Sequence, residues 1–244
     1  MSRISLSQRV QREAEHGLEI LKGNEENWGW HTDAGKIRKK RRTDFLNSAA
    51  REFPKDAAVL EVGCGSGTFT RELATAYKNL VSIDVSEPLL DVARSRYPGC
   101  EFQKADIHQS SFQDAQFDVV LGSSVLHHLD WDLALKEIHR ILKPGGQIRF
   151  SEPNLLNPQI FLQKNVSCLK RRMGDSPDEY AFTAGQIRRS LQRAGFLKIN
   201  VRSYEFLHPS TPVNWIPSVM QLERWLERLP FRVLAGSLKI QATR

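Results

Sequence analysis

The chain has 244 residues, 40% of them hydrophobic and 26% charged, with 35 Lys and Arg against 28 Asp and Glu for a formal charge of +7. That length suits one domain with some elaboration, and the balance is that of a globular protein with a real core, which excludes disordered and fibrous classes. No apolar run approaches the roughly 20 residues that span a bilayer, and Met1 to Val10 lacks a secretory apolar stretch, so neither a transmembrane helix nor a signal peptide is expected.

Residues Met1 to Asn27 alternate charges with little apolar periodicity and read as a polar leader, helical or partly ordered. Trp28, Trp30 and the basic run Lys36 to Arg42 (KIRKKRR) follow, then Phe45, Leu46, Ala49 and Ala50 at helical spacing, a helix expected to pack on the domain that begins next. From Ala57 strands and helices alternate: strand 57–62 (AAVLEV), helix Phe69 to Tyr77, strand 80–84 (LVSID), helix Pro88 to Tyr97 and strand 100–105 (CEFQKA). Strand 117–122 (FDVVLG), helix Trp131 to Leu142 and strand 147–152 (QIRFSE) continue the series, with a tight turn expected at Pro144, Gly145 and Gly146. Such alternation predicts a doubly wound α/β fold, a mostly parallel sheet with helices on both faces.

Pro153 to Glu179, rich in Asn, Pro and Lys, interrupts the pattern and reads as a cover or loop. Thr183 then caps a helix through Arg193 with Gly195 as its stop, and a strand is expected from Leu197 to Phe206. Trp215 to Leu229 has an apolar face formed by Trp215, Val219, Leu222, Trp225, Leu226 and Leu229; packing of that face on the sheet is preferred to a role over a hydrophobic acceptor or on a membrane surface. A last strand, SLKIQAT (237–243), closes the chain. The cysteines Cys64, Cys100 and Cys168 are odd in number and contain no CxxC pair, so neither a disulfide framework nor a zinc site is suggested and a cytoplasmic setting is expected.

The chemistry concentrates at strand ends. In VLEVGCGSGT (59–68) a strand ends at Val62, and Gly63, Gly65 and Gly67 let the backbone turn tightly and approach a ligand. The spacing is GxGxG with Thr68 where a dinucleotide fingerprint needs its third Gly, which argues against a nicotinamide or flavin enzyme. Asp84 ends the second strand, where an acidic side chain accepts both hydroxyl hydrogens of a ribose; the alternative is a helix cap. After the third strand, Asp106 can accept from the exocyclic amine of adenine while Ile107 packs on the ring; otherwise it is a turn Asp.

Together VLEVGCGSGT, VSIDVS, KADI, FDVVLGSSVLHHL and LKPGGQIRF resemble the successive motifs of class I S-adenosylmethionine-dependent methyltransferases, especially the small-molecule branch that includes ubiquinone and menaquinone biosynthesis enzymes. The resemblance covers Ala57 to Glu152 and weakens through Phe206. It implies a Rossmann-like seven-stranded sheet with an antiparallel last strand and S-adenosylmethionine as donor, released as S-adenosylhomocysteine. It also implies donor contacts: Glu61, Gly63, Gly65 and Gly67 for the methionine part, Asp84 with Val85 for the ribose, Asp106 with Ile107 for the adenine, and Ser123 beneath the sulfonium.

In-line displacement from a sulfonium needs neither metal nor covalent nucleophile, so alignment dominates. A base matters only when the acceptor loses a proton; His31, His127 and His128 are the candidates, with a structural role as the alternative for the last two. The domain reading is a helical, basic cover segment at 1–50 and a donor-binding domain at 51–244 with insertions at about 153–182 and 207–235. The leading function is methylation of a small-molecule acceptor, apolar or acidic. The basic clusters Lys36 to Arg42 and Lys164 to Arg172 also suit nucleic acid, anionic lipid or a plain solvated helix face. An RNA methyltransferase is thus the rival, although GSSVLHH lacks both the Asn/Asp-Pro-Pro-aromatic motif and a Pro-Cys nucleophile. A donor-binding module without turnover is the third reading.

Overall fold

The structure, a computed structural model, describes residues 6–19, 21, 29–166, 169–170 and 179–244. Trp28, Cys168 and the Arg171 and Arg172 end of the second basic cluster lie outside the described residues. Seven strands form one sheet: β1 (Ala58–Val62), β2 (Asn79–Asp84), β3 (Glu101–Lys104), β4 (Phe117–Ser123), β5 (Leu142–Pro153), β6 (Leu197–Tyr204) and β7 (Ser237–Thr243), in the order β3-β2-β1-β4-β5-β7-β6. The first five pair in parallel, and β7 runs antiparallel between β5 and β6.

The apolar runs of β1 and β4 lie mid-sheet and are covered on both faces, as parallel strands require. Leu60, Val120, Ile148 and Phe150 meet α5 (Trp131–Ile141) and α7 (Ala184–Arg193) on one face through Leu135, Ile138 and Leu191. Val59, Val119 and Leu121 meet α2 (Asp33–Asn47) and α3 (Thr70–Ala76) on the other through Leu46 and Leu73. Thr183 caps α7 in a full capping box with Gln186, and Gly195 at φ 94° ends it. Beyond these, α1 (Leu6–Glu19) lies against α4 (Glu87–Arg96), α6 (Pro158–Asn165) follows β5, and α8 (Ile216–Leu226) lies beyond β6.

Three expectations are corrected. Pro144 to Gly146 do not form a turn ahead of the strand, because β5 begins directly at Leu142, opposite Phe117, and its register shifts before Gln147 pairs with Val119. The irregular stretch is held by the chain end: Gly145 N–H donates to Arg244 O at 3.2 Å and Arg244 N–H to Gly146 O at 2.8 Å.

The apolar face of α8 does not pack on the sheet. Ile216 is buried with Val219 and Met220 against Ala34 and Leu207, while Trp215, Leu222 and Trp225 are exposed. Polar contacts hold this helix off the sheet, since Glu223 and Glu227 both accept from Arg41 of α2.

Lys36 to Arg42 is not one free cationic surface: Lys36 and Lys40 form a solvated edge, while Arg38, Arg41 and Arg42 turn inward. Arg42 is 3% exposed and donates to Glu205 at 2.7 Å, Ser237 at 2.8 Å and Ser124 at 2.9 Å. Arg38 donates to Glu205 at 3.0 Å, Lys39 pairs with Glu72 at 2.9 Å, and Lys36 and Lys40 pair along the helix with Asp33 and Asp44. Burial alone would raise the Glu205 pKa, but Arg42 and Arg38 hold it down at about 2. Arg42→Ala would leave that carboxylate buried and half-paired, so a loss of about 3–5 kcal/mol in urea unfolding is expected, against less than about 0.5 kcal/mol for Lys40→Ala in its exposed pair.

Candidate active site

A cavity of about 390 Å³ opens at the carboxyl ends of β1, β2 and β4, where an α/β sheet of this kind leaves its crevice. Its floor is the turn Gly63 to Ser66, Asp84, and Ser123 to Val125. Glu13, His16 and Gly17 of α1, Trp30, Arg38 and Arg42, the α6 residues Ile160, Gln163 and Lys164, and Glu205 to Pro209 form the walls and roof.

The floor follows from local backbone chemistry. Gly63 and Cys64 both donate to Ile83 O, at 2.8 and 3.0 Å, which folds the chain back on the end of β2. Gly63 has φ 69°, and a Cβ there would fall 2.3 Å from Val125 Cγ2. Gly65 has φ 53° and open space beyond it, with nothing within 4 Å of a built Cβ, while its N–H donates to Asp84 Oδ2 at 2.9 Å. Ser86 N–H donates to Asp84 Oδ1 at 2.9 Å. Burial raises the Asp84 pKa against these two donors.

The remaining donor-contact candidates take varied places. Ser123 lines the cavity 3.5 Å from Arg42 Nη1. Glu61 lies behind the turn, off the wall, accepting from Thr70 Oγ1 at 2.7 Å and Ser82 Oγ at 2.8 Å; burial pushes its pKa up to about 7. Its visible role is to tie α3 and β2 to β1. Gly67, Val85, Asp106 and Ile107 are also absent from the lining. Asp106 instead accepts from His108 N–H at 2.9 Å and meets His108 Nδ1 at 2.6 Å, and Ile107 is part of the core.

Of the candidate bases, His31 is exposed and off the cavity wall, so the reading of it as a pocket residue is corrected. Thr32 locks the adjoining turn by donating to Gly29 O or Pro209 O, each at 2.9 Å, and leaves His31 on the solvent side. His127 and His128 do line the cavity, on the 3-10 turn Leu126–His128 after β4. Glu152 accepts from Val125 and Leu126 N–H at 2.9 and 3.0 Å and from His127 Nδ1 at 2.8 Å, which leaves Nε2 facing Glu179 at 3.8 Å.

His128 Nδ1 lies 2.9 Å from Glu13 and 3.5 Å from Glu179. Ligand atoms of His127, His128 and Glu179 lie within 4.8 Å of one another, but Lys164 also pairs with Glu179, so protein charges balance this cluster. Sequence reasoning missed Glu13, Glu152, Glu179 and Glu205: Glu13, Glu179 and Glu205 are lone acids far from the motifs, whereas Glu152 ends the strand QIRFSE (147–152), and its place at a strand end was the available signal.

A family described as "Methyltransferase domain" matches residues 60–150. Over 191 residues, 77% of its length, the chain is 27% identical to a methyltransferase-like protein of Schizosaccharomyces pombe, of which it covers 72%. It is 28% identical over 162 residues to demethylmenaquinone methyltransferase of Streptomyces griseus, covering 59% of this chain and 70% of that one. The chain carries a class I S-adenosylmethionine-dependent methyltransferase domain. A solved methyltransferase from Thermotoga maritima shares the fold of this one, with a TM-score of 0.61 over 88% of this chain and 99% of that chain at 20% identity.

His127 and His128 of the methyltransferase titrate in opposite directions. Burial lowers His127, so it is neutral near pH 7. Burial also opposes charge on His128, yet Glu179 and Glu13 raise it to about 9. A raised folded-state pKa adds stability that is full below the ordinary histidine value and disappears as pH rises through about 9. Thermal unfolding of the wild type should therefore lose stability between neutral pH and pH above about 9, a slope that His128→Gln should flatten.

Proposed function

We propose that this methyltransferase passes the methyl group of S-adenosylmethionine to a small-molecule acceptor enclosed between the sheet ends and the covering segments. The observation that carries the reading is the floor of the cavity: an open Gly65 next to a buried Asp84 whose carboxylate faces the same space. Bound there, the donor supplies an electrophilic methyl on a sulfonium with a good leaving group.

The chain's own residues then bind, orient and exclude water. Gly63 and Gly65 let the backbone approach the methionine end, Asp84 accepts from the ribose hydroxyls, and Ser123 lies beneath the sulfur. Gly67, Val85, Asp106 and Ile107 complete the proposed donor contacts, with Glu61 acting through α3. Where the acceptor must lose a proton, His127 takes it on Nε2, its ring held by Glu152. The small-molecule reading is supported by the roof from α1, α2 and α6, and the RNA reading is disfavoured because Lys36 to Arg42 is engaged within the chain. The same proposal treats residues 1–50 as a cover and 51–244 as the donor-binding domain, working in the cytoplasm, where the free thiols Cys64 and Cys100 are at home.

Calorimetric titration with S-adenosylmethionine and S-adenosylhomocysteine tests the donor site. Asp84→Ala should weaken binding by at least about tenfold, because hydrogen bonds to a charged group are worth about 1.5–3 kcal/mol. Unchanged affinity in a folded Asp84→Ala would remove the ribose assignment. For an acceptor found by screening and methylated through proton loss, His127→Ala should keep donor affinity and lower kcat by about 10²–10⁴; an unchanged kcat would remove His127 as the base.

A further inference from the structure

Among the described residues, the exposed large apolar side chains are not scattered: all except Leu133 and Leu197 fall between 156 and 180 or between 213 and 234. The second group includes Trp215, Leu222 and Trp225 on and beside α8, and Phe231 in the 3-10 turn Pro230–Leu234 that follows it. The two groups adjoin, because Asn154 donates to Val233 O at 2.8 Å and Asn157 to Leu234 O at 2.9 Å, bringing the start of α6 against that turn. Contiguous exposed apolar surface on a chain of this kind marks an interaction face.

Charge selects the partner. From Phe206 to Leu234 the only acids are Glu223 and Glu227, and both turn inward to Arg41. Arg224, Arg228 and Arg232 recur every four residues and are exposed, so the outer face carries cations among tryptophans and aliphatic groups. Aromatic and basic residues side by side suit the boundary between lipid headgroups and acyl chains, and the row Arg224, Arg228 and Arg232 supplies the positive charge that an anionic headgroup layer attracts.

We propose that α8 and the following turn form a docking face for an anionic lipid bilayer, with Trp215, Trp225 and Phe231 at the acyl boundary and Arg224, Arg228 and Arg232 on the headgroup phosphates. No helix among the described residues is long and apolar enough to cross a membrane, so the contact is peripheral. On α6, Ile160 and Gln163 line the cavity while Phe161 and Leu162 are exposed, so this one helix separates the cavity from solvent next to the proposed docking face. An apolar acceptor held in the bilayer would lie near the site. That last point rests on the proposed reaction; the docking itself does not.

Co-sedimentation of the full chain with vesicles tests the proposal. Binding is expected to vesicles of phosphatidylcholine containing about a quarter phosphatidylserine, weaker with phosphatidylcholine alone and weaker with added salt. A Trp215→Ser, Trp225→Ser double variant and an Arg224→Glu, Arg228→Glu, Arg232→Glu triple variant should each lose about tenfold or more of the vesicle affinity, while binding S-adenosylhomocysteine like the wild type. No binding to either vesicle, or variants that sediment like the wild type, would overturn it. So would a dimer in light scattering that the tryptophan variant dissociates, which would assign the face to a second copy of the chain.

Discussion

Arg42 and Glu205 are two opposite charges taken out of water 163 residues apart in sequence, and the cavity depends on their meeting. A buried pair of this kind adds little net stability over an apolar core, but it strongly penalises any arrangement that separates its partners. Arg42 also donates to Ser124 in the floor and to Ser237 at the start of β7, so one guanidinium sets the cover helix α2 over the strand ends. Arg41 extends the same logic to α8, whose two acids it collects on the inner side. The outer side of α8 is thereby left with its tryptophans and arginines exposed.

The floor depends on a different constraint. Strand β1 ends where the backbone must take positive φ at Gly63 and Gly65, and Asp84 at the end of β2 receives the N–H groups that this turn and the start of α4 leave over. These are short-range consequences of the sequence, fixed within about one βαβ unit. The roof is assembled from distant pieces: α1 through Glu13, α2 through Arg42, and the residues around Glu179 and Glu205. A methyltransferase needs both parts, one to hold its donor and one to shape a dry space beside it.

That division explains what could be read in advance. The alternating strands and helices of the sheet and the Gly63 to Asp84 floor were legible because apolar runs, glycine spacing and strand ends act locally, while the antiparallel last strand was implied by the resemblance alone. The behaviour of Lys36 to Arg42 was not, since periodicity cannot show that Glu205, Glu223 and Glu227 will come to meet it. For the same reason α8 reads as a sheet-packing helix until Arg41 is seen to hold its inner face. Pro144 to Gly146 resembled a turn because nothing nearby shows that Arg244 will return to pair there. His31 and His127 looked alike as bases in sequence and differ only because Thr32 turns one outward and Glu152 draws the other in.

The measurement that tests the account most directly is a crystal structure of the full chain grown with S-adenosylhomocysteine. The ribose hydroxyls are expected on Asp84, the amino-acid end over Gly63 and Gly65, and the sulfur directed at the space between Ser123 and His127. A nucleoside bound away from the cavity, or lying in it with Asp84 still occupied only by the N–H groups of Gly65 and Ser86, would contradict it.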